Sequence, residues 1–271
     1  MKPPVSKEYG AWASITTAFI AGVGIAGRVN LESIILLLGT LSFFLARMPF
    51  LSLLRSMSSG RTVFSGFTRQ AVWCTLYFFI GVVLFSILLL KYKLTALFIF
   101  IVVSLMIFSY NIYVTHNKGA RSKEASLSGA LGVSFLSSFA YYAATGHFNG
   151  IVATLWILVF FYLAGGILYV QARLGSFRRQ WCIVFQVVTL VIVGALGILG
   201  FVPMLTLVAY CPALIKSSTG VLAIDKEVVT RELGRMELLH SAIYVFLIIL
   251  VYCINPLKSG CERIGYCRVT H

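Results

Sequence analysis

Tyr162, Gly166, Tyr169 and Arg173 stand at intervals of four, three and four. On a helix of about 3.6 residues per turn, that spacing sets them on one face, an aromatic stripe that ends in an arginine. Tyr110, Tyr113 and Asn117 form a second stripe of the same kind, Arg47 closes an apolar run, and Gln186 sits inside another. An amide among apolar residues needs a partner or a polar cavity. An arginine's planar fork meets phosphate or carboxylate with two parallel hydrogen bonds. Arg47, Tyr113, Asn117, Tyr169, Arg173 and Gln186 are therefore candidate ligands of an anionic group. A plainer account competes with this one: Arg47 and Arg173 reach from span ends to lipid headgroups and mark topology.

Other spacings that resemble catalytic motifs lack what the chemistry needs. Gly22, Gly24 and Gly27 match the letters of a dinucleotide-binding loop, which requires a strand before it and an acidic residue about 20 positions on. These glycines instead close an apolar run, and with Ala18 four residues before Gly22 they read as small residues for close helix packing. Glu237 and His240 make half of a carboxylate-bridged di-iron motif, but there is no second copy, no H-E-x-x-H and no C-x-x-C. They are expected to form an interfacial pair at the start of a helix, and no metal or other cofactor is expected. Asp225 to Glu237 is rich in both signs, with Glu227, Arg231 and Arg235 four apart. It reads as a short ion-paired surface helix or, alternatively, as a lid over a ligand pocket. No catalytic residue can be named, so whether the chain is an enzyme stays open.

The elements that position these residues follow from composition. The 271 residues are 59% hydrophobic and 11% charged, with a mean hydropathy of +0.95. A soluble domain carries about a quarter charged residues and could not bury so much apolar surface in one core. That excludes a soluble enzyme, a disordered chain and a disulfide scaffold. Crossing roughly 30 Å of hydrocarbon takes about 20 apolar residues of helix. Nine such runs are present: Ala11–Gly27, Leu31–Ala46, Ala71–Leu90, Leu94–Val114, Ala125–Gly146, Ile151–Gln171, Trp181–Leu199, Phe201–Ile215 and Leu238–Cys253. The expected fold is an all-α, polytopic membrane helix bundle of about nine transmembrane helices. Residues 1–256 form its single transmembrane domain and 257–271 a short extramembrane tail. The second and eighth spans are short; Pro49 is expected to end the second, and Pro203 and Pro212 to kink or partly unwind the eighth.

The 22 Lys and Arg outnumber the 8 Asp and Glu, a formal charge of +14. They cluster in the gaps between apolar runs, a pattern of membrane topology and not of nucleic-acid binding. With the N-terminus inside, the N-terminal segment and the gaps after spans two, four, six and eight hold sixteen of the cations. The outer segments hold six: Arg28, Lys91, Lys93, Lys258, Arg263 and Arg268. This asymmetry predicts an N-terminus in and a C-terminus out. The inner gaps at 47–70 and 216–237 also look longest. No cleavable signal peptide is expected, because the first apolar run lacks a small-residue cleavage site. Cys74, Cys182, Cys211 and Cys253 fall in apolar runs as small hydrophobes; only Cys261 and Cys267, in the tail, are placed to pair in an oxidising compartment.

Lys7-Glu8-Tyr9-Gly10-Ala11-Trp12-Ala13 resembles the K-x-H-G-A-W-A opening of YwiC-like membrane proteins. Ala46-Arg47-Met48-Pro49 resembles that family's R-x-P after its second helix, and Leu168-Tyr169-Val170-Gln171-Ala172-Arg173 resembles its Y-V-R-x-R stretch. Ser122–Gly129 and Arg231–Leu238 are similar in layout. Tyr9 stands where the family has a histidine, and Gln171 where it has an arginine. The resemblance runs to about residue 254 and implies a multi-pass membrane protein of unassigned activity. A second resemblance, architectural only, is to the UbiA prenyltransferase superfamily, whose Asp-rich loops hold Mg²⁺ and a prenyl diphosphate. Arg47 and Arg173 occupy the corresponding regions, and Asp225 is the one aspartate.

The resulting expectation is a multi-pass, YwiC-like protein of the cell membrane that binds an anionic or isoprenoid lipid at its cytoplasmic face. One alternative is a UbiA-like prenyl-transfer enzyme without the Asp-rich Mg²⁺ motifs; another is a small-molecule transporter. Carriers usually show repeats, broken central helices or intramembrane charges, and the nine runs show almost no midplane charge. Membrane lipids are the expected partners, with no nucleic acid; the oligomeric state is left open.

Overall fold

A computed structural model describes residues 9–58, 64–119, 122–174, 178–222 and 230–255. Among the described residues there are nine α-helices and no strand: α1 (Tyr9–Ala26), α2 (Leu31–Ser58), α3 (Phe64–Leu90), α4 (Leu97–Lys118), α5 (Lys123–Thr145), α6 (Gly150–Arg173), α7 (Arg179–Ile198), α8 (Thr206–Leu222) and α9 (Thr230–Ile254). Seven of them are long and apolar enough to cross a membrane; α1 and α8 are shorter. Phe78, Phe79, Val187 and Val191 are among the large apolar side chains left exposed on α3 and α7. Such faces would be an aggregation hazard in water and are ordinary against lipid.

Four helix ends run well past the expected spans: the ends of α2 and α8 and the starts of α3 and α9. Pro49 does not end the second helix: α2 continues through it to Ser58. A proline removes one backbone donor, a loss that transmembrane helices accommodate. The eighth helix is neither broken at its middle nor placed at 201–215. Pro203 precedes it, accepting from the Thr206 N–H at 2.9 Å in the entry turn, and α8 then runs through Pro212 to Leu222. Its last turns are polar but helical, and there Ser218 and Thr219 satisfy their hydroxyls within the helix, on the Leu214 and Ile215 carbonyls at 3.0 and 2.9 Å. Because α3 also starts at Phe64 and α9 at Thr230, the long inner gaps at 47–70 and 216–237 shrink to 59–63 and 223–229, and residues 230–237, expected in a separate short helix or lid, form the first turns of α9. Asp225 and Glu227, the side chains of Arg231 and Glu232, the Lys7-Glu8 opening, and Cys261 and Cys267 lie outside the described residues.

The helices gather into two compact units. The first holds α2, α3, α4 and the opening of α5 to Gly129. Its α2 and α3 interlock through missing side chains: a Cβ at Gly39 would lie 2.9 Å from the Phe85 ring, and one at Gly81 2.9 Å from Phe43. The second unit holds α1 from Gly10, the remainder of α5, and α6 to α9. There a Cβ at Gly22 would strike the Ser137 carbonyl, and one at Gly24 the Ile249 side chain. The glycines that spell a nucleotide loop are thus contact points of α1 with α5 and α9. Serine and tryptophan tie α5 to α6: the Ser138 hydroxyl donates to the Val152 carbonyl at 2.6 Å, and Trp156 Nε1 to the Leu131 carbonyl at 3.2 Å. Small residues that let backbones approach, with polar side chains bonding across, are how helices associate where lipid removes the hydrophobic drive.

Candidate functional site

The first unit contains one of the candidate arginines. Arg47, on α2, donates from Nη2 to Asn111 Oδ1 at 3.1 Å. Asn111 is buried on α4, and its Nδ2 donates to the Ala125 carbonyl at 2.7 Å and to Ser128 Oγ at 2.8 Å. One amide thus joins α2, α4 and the opening of α5 with both ends of its side chain used. The stripe proposed for α4 faces elsewhere. Tyr110, Tyr113 and Asn117 are exposed, and Asn117 Oδ1 has His116 Nδ1 as a neighbour at 3.3 Å. Asn111 is the polar group of α4 that Arg47 meets. The signal that could have found it is the one applied to Gln186, an amide inside an apolar run.

In the second unit the stripe on α6 is a contact face. Tyr162 stacks on Tyr244 of α9, with ring centroids 3.8 Å apart and planes at 9°, and its hydroxyl bonds Ser241 Oγ at 3.4 Å. Gly166 faces Glu237 of α9: a Cβ there would sit 3.1 Å from Oε2. Tyr169 fills the space that a side chain at Gly220 of α8 would need. Arg173 donates from Nη1 to the Gly220 carbonyl at 2.8 Å. Gln186 is buried and meets α6 at Gly165, one turn before Tyr169, where a Cβ would collide with its amide. Tyr169, Ala172, Cys182 and Leu233 make the apolar floor beneath.

The centre of this region is a pair that spacing alone did not reveal. Lys216, assigned to a loop from its charge at the end of an apolar run, lies within α8 and is buried. Its Nζ is 2.7 Å from Glu237 Oε1, with side-chain exposures of 4% and 16%, and 4.7 Å from the Tyr169 ring centroid. Glu237 therefore pairs with Lys216 and not with His240, whose Nδ1 lies 2.8 Å from the Met236 carbonyl. Lys216 and Glu237 both lie just beyond the expected spans, which ended at Ile215 and resumed at Leu238, but within the observed helices α8 and α9. An ionised pair with little water access is stable only when each charge has its partner. Arg173 and Lys216 thus come to one aromatic-lined spot, at the end of the unit where α6 and α8 finish and α9 begins.

Among the described residues no group of three or more His, Cys, Asp or Glu lies where a metal could be held. Cys74, Cys182, Cys211 and Cys253 are free thiols. A family model described as YwiC-like protein matches residues 5–141, a span that includes Arg47, Tyr113 and Asn117 and stops short of Tyr169, Arg173, Gln186 and Lys216. No curated protein and no solved structure matches the chain.

Proposed function

The chain belongs to the YwiC-like family and is a multi-pass membrane protein, and on that premise we propose that it binds an anionic lipid, through the lipid's phosphate, at its cytoplasmic face. The observation that carries this reading is the convergence of Arg173 and Lys216 on Tyr169 and Gly220. Arginine supplies the planar fork for phosphate and lysine a point charge; Tyr169 gives both an aromatic wall. The asymmetric placement of Lys and Arg along the chain supports putting this end inside, with the N-terminus in and the C-terminus out, in the cell membrane. Arg47, committed to Asn111, is assigned to anchoring α2.

The test is thermal unfolding of the purified protein in detergent with dioctanoyl phosphatidylglycerol and with isoprenoid mono- and diphosphates, in the presence of chelator. A ligand at a hundredfold excess over its Kd stabilises the folded state by about 2.7 kcal/mol. The expected result is an upward shift in Tm for wild type that is lost in Arg173→Ala. Binding by Arg173→Ala equal to wild type sinks the proposal.

The buried Lys216–Glu237 pair favours one second reading, a small-molecule transporter, because ionisable residues within spans mark solute and proton paths. Uptake of a radiolabelled organic phosphate into proteoliposomes, abolished by Lys216→Met, would support it; absence of flux would leave lipid binding alone.

A further inference from the structure

The Lys216–Glu237 pair carries an inference about the net charge of the bound lipid: it rests on the phosphate contact proposed above and replaces an anionic headgroup by a zwitterionic one. Lys216 stands six residues before the end of α8 and Glu237 seven after the start of α9. At about 1.5 Å per residue the pair lies roughly 10 Å inside the helix ends. There the two charges cancel. A simple anion that took Lys216 for itself would strand the Glu237 carboxylate, and a buried charge left without its partner is strongly unfavourable. A ligand that brings both signs can replace both halves of the pair and strand neither.

We propose that the site takes a zwitterionic headgroup in which a phosphate diester and a primary ammonium are neighbours, the phosphate on Lys216 and the ammonium on Glu237. One feature fits the exchange. The Tyr169 ring already holds one ammonium at 4.7 Å, and an aromatic face accepts a ligand's ammonium by the same attraction. Glu237 is the more exposed member of the pair, so the exchange begins at the carboxylate.

Binding of dioctanoyl phosphatidylethanolamine and dioctanoyl phosphatidylglycerol to the detergent-purified full chain separates the possibilities, with soluble glycerophosphoethanolamine as a third arm. Wild type is expected to bind the ethanolamine lipid at least tenfold more tightly than the glycerol lipid. Glu237→Gln keeps the size and polarity of the side chain but loses its charge, and is expected to bring that ratio to one or below. Should Glu237→Gln fail to fold, the double variant Lys216→Gln/Glu237→Gln leaves no lone charge and is expected to show no preference. If the soluble headgroup binds as tightly as the lipid, the same charge exchange belongs to a water-soluble zwitterion. Wild type binding the glycerol lipid as tightly as the ethanolamine lipid overturns the inference while leaving the phosphate reading standing. If wild type binds neither lipid, both fall.

Discussion

Arg47 and Lys216 are two basic residues drawn into helix packing, one in each compact unit, and they are held by opposite means. Arg47 rests on a neutral amide, Asn111, which in turn spends its own donors on the Ala125 carbonyl and the Ser128 hydroxyl. Lys216 rests on an ionised carboxylate. An amide dipole holds a guanidinium without neutralising it, whereas a carboxylate neutralises an ammonium. A charge neutralised by a counter-ion can exchange one ion for another whenever the total stays balanced. On the proposed reading it is the counter-ion of Lys216, and not its position in the helix, that lets it take part in recognition.

The largest expected effect comes from removing the counter-ion. Glu237→Ala leaves Lys216 buried and uncompensated, and should cost about 3–5 kcal/mol of stability, read as a fall in Tm in detergent. Replacing both members, Lys216→Met with Glu237→Leu, should recover most of it. A loss below about 1 kcal/mol in the single variant would mean that Lys216 is solvated, and the contrast with Arg47 would collapse. Next in size is Asn111→Leu, which strips Arg47 and the opening of α5 of their shared amide. A cost of about 1–3 kcal/mol is expected, with ligand-dependent stabilisation unchanged in size. Loss of ligand response together with stability would instead place Arg47 in the binding site. The smallest effects belong to Tyr113→Phe and Asn117→Ala. Both side chains are exposed, so each substitution should stay within about 0.5 kcal/mol of wild type; a larger change would show that the outer face of α4 is covered.

Apolar runs were enough to place nine helices in order, because a span announces itself by some 20 residues of hydrocarbon-compatible sequence. Helix ends were less legible. Hydropathy falls where the membrane stops, while the helix goes on as long as its backbone bonds are made; α2 past Pro49 and α8 past Lys216 are both of this kind. The stripe on α6 was legible because four residues repeat at helical spacing and face two neighbouring helices. On α4 the tyrosines drew attention to an exposed face and away from the buried Asn111, since aromatic residues at span ends serve the lipid interface as readily as a site. The Lys216–Glu237 contact joins residues 21 apart on different helices, and no local spacing encodes it.

The brevity of α8 has a consequence for the bilayer itself. Its 17 residues measure about 26 Å at 1.5 Å per residue, less than the roughly 30 Å of hydrocarbon in a typical membrane. Val208 and Ile215 on this helix are exposed; in a bilayer a short hydrophobic stretch is met by local thinning, by snorkelling of flanking residues or by oligomerisation, each at a modest cost. Whichever response operates, its cost rises with bilayer thickness, and thickness becomes part of what sorts such a protein among membranes.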